Sequence, residues 1–397
     1  MPVQKTSFAS ISPNPFNPGS PVDPNDFVGR TSELENFRHK LEQTAGGSLA
    51  SMAVSGGYGV GKTSFLHKCK VIAEEMNALT VYLSLNEMPK YDRETLSRVL
   101  IERTADKVRE EVILAKLSKK VWDVLRVIRL KAGPNVELRL EDAPDAEHPN
   151  LQSALKAAWK ALKGDKSAIV FLIDEADVLE KNRAELVLYL RAVLEQLQTE
   201  RIPVMMVPAG KLSITGPSGT GFSPLVRTFP PAILENFSRS ESRAFIDKKL
   251  GRIGMNISDA AFEKVCIVTE GHPFVLNAYL NSAYSKLSPK EKELTEVHLR
   301  AADIDFVGSV LGRFFARFYD DSGKVSQSIL DILASSKNGE AFLSELSDKL
   351  KKDNNELSPY IGKLVQDGAV IRIDRGKYRL FHHLLGEYIQ LKKTEFY

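Results

Sequence analysis

Cysteine is nearly absent from this 397-residue chain: Cys69 and Cys266 stand far apart, with no His or Cys beside them at metal-ligand spacing. Two thiols so placed make neither a disulfide framework nor a zinc site, and they suit a reducing cytoplasm, where the protein is expected. Cys69 is expected as a buried structural thiol. Long apolar runs are missing too. The longest, such as Ile169–Ile173, have the length of strands, which excludes a membrane-spanning helix and a membrane partner. The N-terminus lacks the basic-then-apolar pattern of a secretory signal. Nor is there an excess of one charge. Lys+Arg 54 against Asp+Glu 51 leave a net charge of +3, so the overall field draws the chain neither to nucleic acid nor to a lipid surface.

What is present suits two or three soluble domains, with 43% hydrophobic and 26% charged residues. Residues 1–26 are rich in Pro, Asn, Ser and Gly and read as an extended arm that Phe16 and Val22 anchor to the folded body. From residue 27 to 236, short apolar runs alternate with helical periodicities. Strands are predicted at Ser51–Ser55, Leu79–Leu85, Ala168–Ile173, Pro203–Val207 and Ala232–Leu234. Helices fall between them, and a largely helical insert spans about 90–150, with an exposed strand at Val136–Leu140. This alternation predicts an α/β fold with a doubly wound, mostly parallel sheet. Beyond Ser238 the strand signals stop, and helical patterns over 237–320 predict a small α-helical lid domain. Over 325–397, three short helices precede two alternating segments joined at Asp374-Arg375-Gly376, the order of a winged helix.

The sharpest motif is Gly56-Gly57-Tyr58-Gly59-Val60-Gly61-Lys62-Thr63, between a predicted strand and a predicted helix. Its chemistry is that of a phosphate-binding loop. Glycines let successive N–H groups of Gly57 to Ser64 curl toward one anion, and the helix N-terminus adds its positive dipole end. Lys62 has the reach for the β- and γ-phosphates, and the Thr63 hydroxyl can ligate Mg²⁺. The expected ligand is ATP with Mg²⁺. Asp174 ends an apolar strand and Glu175 follows it; there Asp174 can hold Mg²⁺, directly or through water, while Glu175 orients or deprotonates the attacking water. The alternative is an acidic helix cap. The string Asp174-Glu175-Ala176-Asp177 also spells a helicase box, but the other helicase signatures are not found.

Taken together, these residues resemble an AAA+-type ATPase of the group that holds origin-recognition initiators and archaeal-type signal-transducing (STAND) ATPases. The resemblance is carried by Asp26-Phe27-Val28-Gly29-Arg30 with Glu33-Leu34, the loop at 56–63, Asp174-Glu175, Gly271-His272-Pro273, and the C-terminal winged helix. It implies Phe27, Val28 and Arg30 as neighbours of the adenine, with a helix-start ion pair as the other role for Arg30. It also implies a catalytic arginine acting across a subunit interface, for which Arg227 is the candidate, a surface arginine being the alternative. The fourth strand ends in Pro208-Ala209-Gly210-Lys211, without the usual polar sensor. His272 stands where initiators carry a lid arginine. Contact with the phosphates or a report of nucleotide state is one role for it, and a helix-entry histidine is the other.

Two functions follow as expectations. One is an ATP-binding, slowly hydrolysing switch that controls self-association or a protein partner. The other is an initiator-like ATPase gripping duplex DNA. Over residues 325–397 Lys and Arg number 11 against 10 Asp and Glu, and the presumptive recognition helix carries only Lys363. That is meagre for phosphate contacts, although Arg372, Arg375, Lys377 and Arg379 line the hairpin.

Overall fold

The computed structural model describes residues 13–115, 150–179, 184–212, 228–288, 290–306 and 311–395. They divide into two units. One runs from Pro21 to Glu235 without Tyr58–Val60, and the other joins residues from Asn236 onward to Tyr58–Val60 and to the arm up to Ser20.

In the first unit, α1 (Thr31–Ala45) is followed by β1 (Ala53–Gly56), α2 (Lys62–Glu75), β2 (Leu79–Ser84), α3 (Arg93–Ala115), α4 (Leu151–Leu162), β3 (Ile169–Asp174), α5 (Ala184–Thr199), β4 (Val204–Gly210) and β5 (Pro231–Leu234). The five strands form one parallel sheet in the order β2-β3-β4-β1-β5. This is the expected doubly wound core. Every residue of β3 and β4 is buried, as strands covered by helices on both faces must be, and this is why they read as unbroken apolar runs. Leu83, Leu96, Leu155, Phe171, Leu190 and Met206 belong to the apolar core that β2, β3 and β4 build with α3, α4 and α5. The register sets Ser84 opposite Asp174 and Val54 opposite Ala209. The carboxyl ends of the strands are thereby gathered where a doubly wound sheet binds its ligands. The predicted strand at 136–140 lies outside the described residues.

The second unit contains α6 (Arg239–Gly251), β6 (Asn256–Ile257), α7 (Asp259–Thr269), α8 (Pro273–Tyr284), β7 (Glu293–Leu294), α9 (Glu296–Asp305) and α10 (Leu311–Tyr319). Next come α11 (Lys324–Ala334), β8 (Glu340–Phe342), α12 (Leu343–Leu350), α13 (Asn354–Asp367), β9 (Val370–Asp374), β10 (Lys377–Leu380) and α14 (His383–Glu395). Ser238 and Glu241 form a capping box that starts α6. Gly376, at φ 72°, makes the turn between β9 and β10. The sequence pattern misses β8, which adds a third strand to that hairpin in the order β8-β10-β9; at three residues it is too short to show a period. It also misses α14 and the two-residue parallel pair β6–β7.

The arm has no strand or helix among its described residues, yet it is held closely. Phe16 is 1% exposed and packs on Phe245 with ring centroids 6.3 Å apart. Side-chain amides of α8 replace a strand ladder: Asn281 donates to Phe16 O at 2.5 Å and Asn277 to Asn17 O at 2.9 Å. Phe16→Ala should therefore cost about 3–5 kcal/mol of the second unit's stability, measured by denaturant unfolding. A loss below about 1 kcal/mol would show that the arm is not part of that unit's core.

Candidate functional site

The loop after β1 owes its shape to glycine. Gly59 and Gly61 have φ of 79° and 95°, which other residues reach only with strain. Gly61 is also the N-cap of α2, and no described side chain caps that helix start. An uncapped N-terminus leaves backbone N–H donors for an anion. Lys62 Nζ lies 3.1 Å from Gly56 O and 2.8 Å from Gly57 O, folded back along its own loop. Ser64 turns the other way: its Oγ accepts the N–H of Val22 at 3.0 Å. Its side chain thus fastens the chain ahead of α1 and leaves only its N–H to the loop.

The Thr63 hydroxyl donates to Asp174 Oδ2 at 2.7 Å. Asp174, 4% exposed, accepts two further bonds, from Tyr82 Oη to Oδ2 at 2.9 Å and from Glu175 N to Oδ1 at 2.9 Å. Glu175 is exposed and holds φ 54°, a left-handed conformation rare outside glycine and typical of functional turns. The donor set suits a cradled polyphosphate with its cation: uncapped amides, one ammonium, one hydroxyl and one carboxylate, all within the first unit. Burial, then the Asp174 charge, pushes the Tyr82 phenol far above its ordinary range. His67, its ring 5.4 Å from that of Tyr82, is lowered by burial against the opposing pull of Asp174.

Of the expected base neighbours, Phe27 and Val28 are half-buried, and the Phe27 ring meets Phe65 edge-on at 6.2 Å. Arg30 is buried, adopts φ 59° as the N-cap of α1, and its guanidinium donates to the Glu235 carbonyl. Arg227 lies outside the described residues. The end of β4 is fixed by a carboxylate that sequence reasoning missed: Asp177 Oδ1 accepts Lys211 N–H at 2.6 Å, and a Cβ on Gly210 would come within 2.8 Å of Asp177 N. Tyr82 was missed as well. On a half-buried strand it reads as packing, and only the β2–β3 register reveals its neighbour.

Residues 58–60 cluster with the second unit. His272, 3% exposed, caps α8 through Nδ1, which accepts Val275 N–H at 3.5 Å. Its proton is therefore on Nε2, which donates to Tyr58 O at 3.0 Å. Phe274 N–H donates to Gly59 O at 3.1 Å. A Cβ on Gly59 would stand 2.7 Å from His272 Cε1, a second reason for glycine there. The Tyr58 ring packs on Phe314 at 5.4 Å and lies 3.7 Å beneath the Arg317 guanidinium. Within this unit, then, His272 combines the helix-entry role with a grip on the loop's backbone.

Residues 26–207 match the family of AAA ATPase domains. The chain carries an AAA ATPase domain. It is a P-loop ATPase, an ATP-hydrolysing enzyme. The fold is similar to that of the Walker-type ATPase of Pyrococcus abyssi, at 15% identity and a TM-score of 0.59 over 92% of this chain and 97% of that one. It is also similar to the ORC2 protein of Aeropyrum pernix, solved as ADPNP and ADP complexes, at 14% identity and a TM-score of 0.54 over 92% and 96%. At these identities the likeness is one of fold. No curated protein matches the ATPase in sequence.

Two buried histidines give the second unit an acid limit. Burial first, then the neighbouring His382, holds His272 down to about 3; burial holds His382 down to about 4. Both lie below the 6.5 of an exposed imidazole, so between these values the unfolded chain binds protons that the folded unit does not. Stability should be complete above about pH 7 and fall as the pH drops from about 6.5 toward 4. Thermal unfolding followed over this range should show the slope, and His272→Gln with His382→Gln should flatten it.

Proposed function

We propose that the protein is an ATP-driven switch, in which the nucleotide on the loop 56–63 sets the state of the C-terminal residues and slow hydrolysis resets it. The observation that carries this is the dual membership of the loop. Lys62 and Thr63 belong with Asp174, whereas the carbonyls of Tyr58 and Gly59 are held by His272 and Phe274. Phosphates drawing on the amides of that loop must act on the same peptide groups.

In this reading the amides of Gly57 to Ser64 and the Lys62 ammonium hold the β- and γ-phosphates. Phe27 and Val28 flank the base. Mg²⁺ supplies charge neutralisation at the phosphates, and the residues to hold it are Thr63 and Asp174. Both lone pairs of Asp174 Oδ2 already face hydroxyls, which favours contact through water over direct ligation. Glu175 is the base for the attacking water. Arg227 is the candidate for stabilising transition-state charge on a neighbouring copy. His272 acts on the loop and not on the phosphates, because Nε2 and Nδ1 are both engaged.

The output is expected in the C-terminal elements, which we read as a lid (237–320) and a winged helix (325–397) facing a second copy or a protein partner. Duplex DNA is the less supported partner. Lys377 is paired with Glu340 at 2.6 Å and Arg372 Nε donates to Asp374 O at 3.2 Å, so part of the hairpin's charge is spent internally.

Lys62→Ala should abolish ATP binding, and Glu175→Gln should keep binding while lowering turnover by about a hundredfold or more. Equilibrium binding of labelled ATP and phosphate release measure the two, and normal turnover by Glu175→Gln would refute the assignment of the base. Filter binding of duplex DNA across a salt series, with and without ATP, should show no ATP-dependent, salt-sensitive complex. Such a complex would favour the DNA-binding reading.

A further inference from the structure

We infer that Tyr82 is a positioning residue for the cation half of the site, acting through Asp174; this rests on the proposed use of Thr63 and Asp174 with Mg²⁺. The strand register creates the arrangement. Ser84 of β2 is directly opposite Asp174 of β3, and side chains two residues apart share a face of the sheet. Tyr82 is therefore the diagonal neighbour of Asp174 on the face that α2 covers, and a tyrosine is long enough to span a diagonal. It does so, with Oη 2.9 Å from Oδ2. Contact between the Tyr82 and His67 rings, 5.4 Å apart, fixes the phenol from the α2 side.

Counting lone pairs shows what this contact does. A carboxylate oxygen has two acceptor sites. Those of Oδ2 take the Thr63 and Tyr82 hydroxyls, while Oδ1 takes Glu175 N–H. Asp174 is thus held from three directions in one orientation. Thr63 has spent its only hydrogen on Asp174, so its Oγ1 offers nothing but lone pairs to a cation. Without the Tyr82 hydroxyl, an oxygen of a carboxylate that is 4% exposed loses one of its partners, and two bonds hold the carboxylate in place of three. The acceptor that keeps the Thr63 rotamer is then less firmly oriented. Outer partners of this kind commonly change metal affinity tenfold or more when removed.

The test is a Mg²⁺ titration of a fluorescent ATP analogue bound to the full chain, read by fluorescence and not by turnover. Tyr82→Phe removes one oxygen and leaves the ring in place. It should raise the Mg²⁺ concentration for half-maximal effect about five- to tenfold, with nucleotide affinity in EDTA unchanged. In an Asp174→Asn background the same substitution should add little further shift. A wild-type Mg²⁺ midpoint in Tyr82→Phe overturns the inference. An equal loss of affinity in EDTA also overturns it, since that would mark a packing role. If the unsubstituted chain shows no Mg²⁺ dependence, the cation reading of Thr63 and Asp174 fails, and the role of Tyr82 with it.

Discussion

The hydrogen bond from Thr63 to Asp174 is the constraint on which the ATPase core depends. It joins the first turn of α2 to the last residue of β3, more than a hundred positions away in the chain. Both ends need the parallel sheet. Asp174 is buried beside the carboxyl ends of its neighbours only because β2, β3 and β4 run in the same direction. A buried carboxylate costs several kcal/mol unless hydrogen bonds replace its water. Three donors do so here, from a helix, a neighbouring strand and its own following residue. The chemistry of the site is thus inseparable from the register of the sheet.

The second constraint is conformational. Between Gly56 and Lys62 the backbone turns twice through positive φ, at Gly59 and Gly61. Glycine is needed at Gly61 for conformation alone, since a Cβ there would meet nothing within 4 Å. At Gly59 it is needed twice, for conformation and because His272 and Phe274 stand where a Cβ would go. The first requirement comes from the loop's own turn. The second belongs to packing around α8, and a motif pattern cannot tell the two apart.

That distinction marks what the sequence could disclose. The loop, Asp174 and the five strands of the core were legible because each is a contiguous pattern: a glycine run before a Lys-Thr pair, or an apolar run ending in acids. Tyr82 and Asp177 were not legible, since each acts on a residue brought near by register or by a turn, and neither stands in a recognisable string. Phe16 was legible as an anchor because it is an aromatic set between prolines, whereas the amides of Asn277 and Asn281 that hold Asn17 and Phe16 looked like ordinary helix residues. At the C-terminus the Asp374-Arg375-Gly376 turn announced a hairpin. The third strand, β8, lay below the length at which a pattern exists. His272 kept two readings in the sequence, and the structure shows the helix-entry one: Nδ1 faces the start of its own helix, while Nε2 faces Tyr58 O.

The geometry of a trans peptide carries this one step further. Its N–H and C=O point in opposite directions across a rigid plane. Holding Tyr58 O from His272 therefore fixes where the Gly59 N–H points, and holding Gly59 O from Phe274 N fixes the Val60 N–H. Both amides are turned away from α8 by bonds that α8 itself makes. In the proposed switch, the phosphates compete for no atom of His272. A change in these peptide planes and a change in the loop's grip on α8 are therefore one motion. Because the imidazole is neutral across the physiological range, with its folded value near 3, this linkage works through hydrogen-bond direction and not through charge. It should therefore be insensitive to salt.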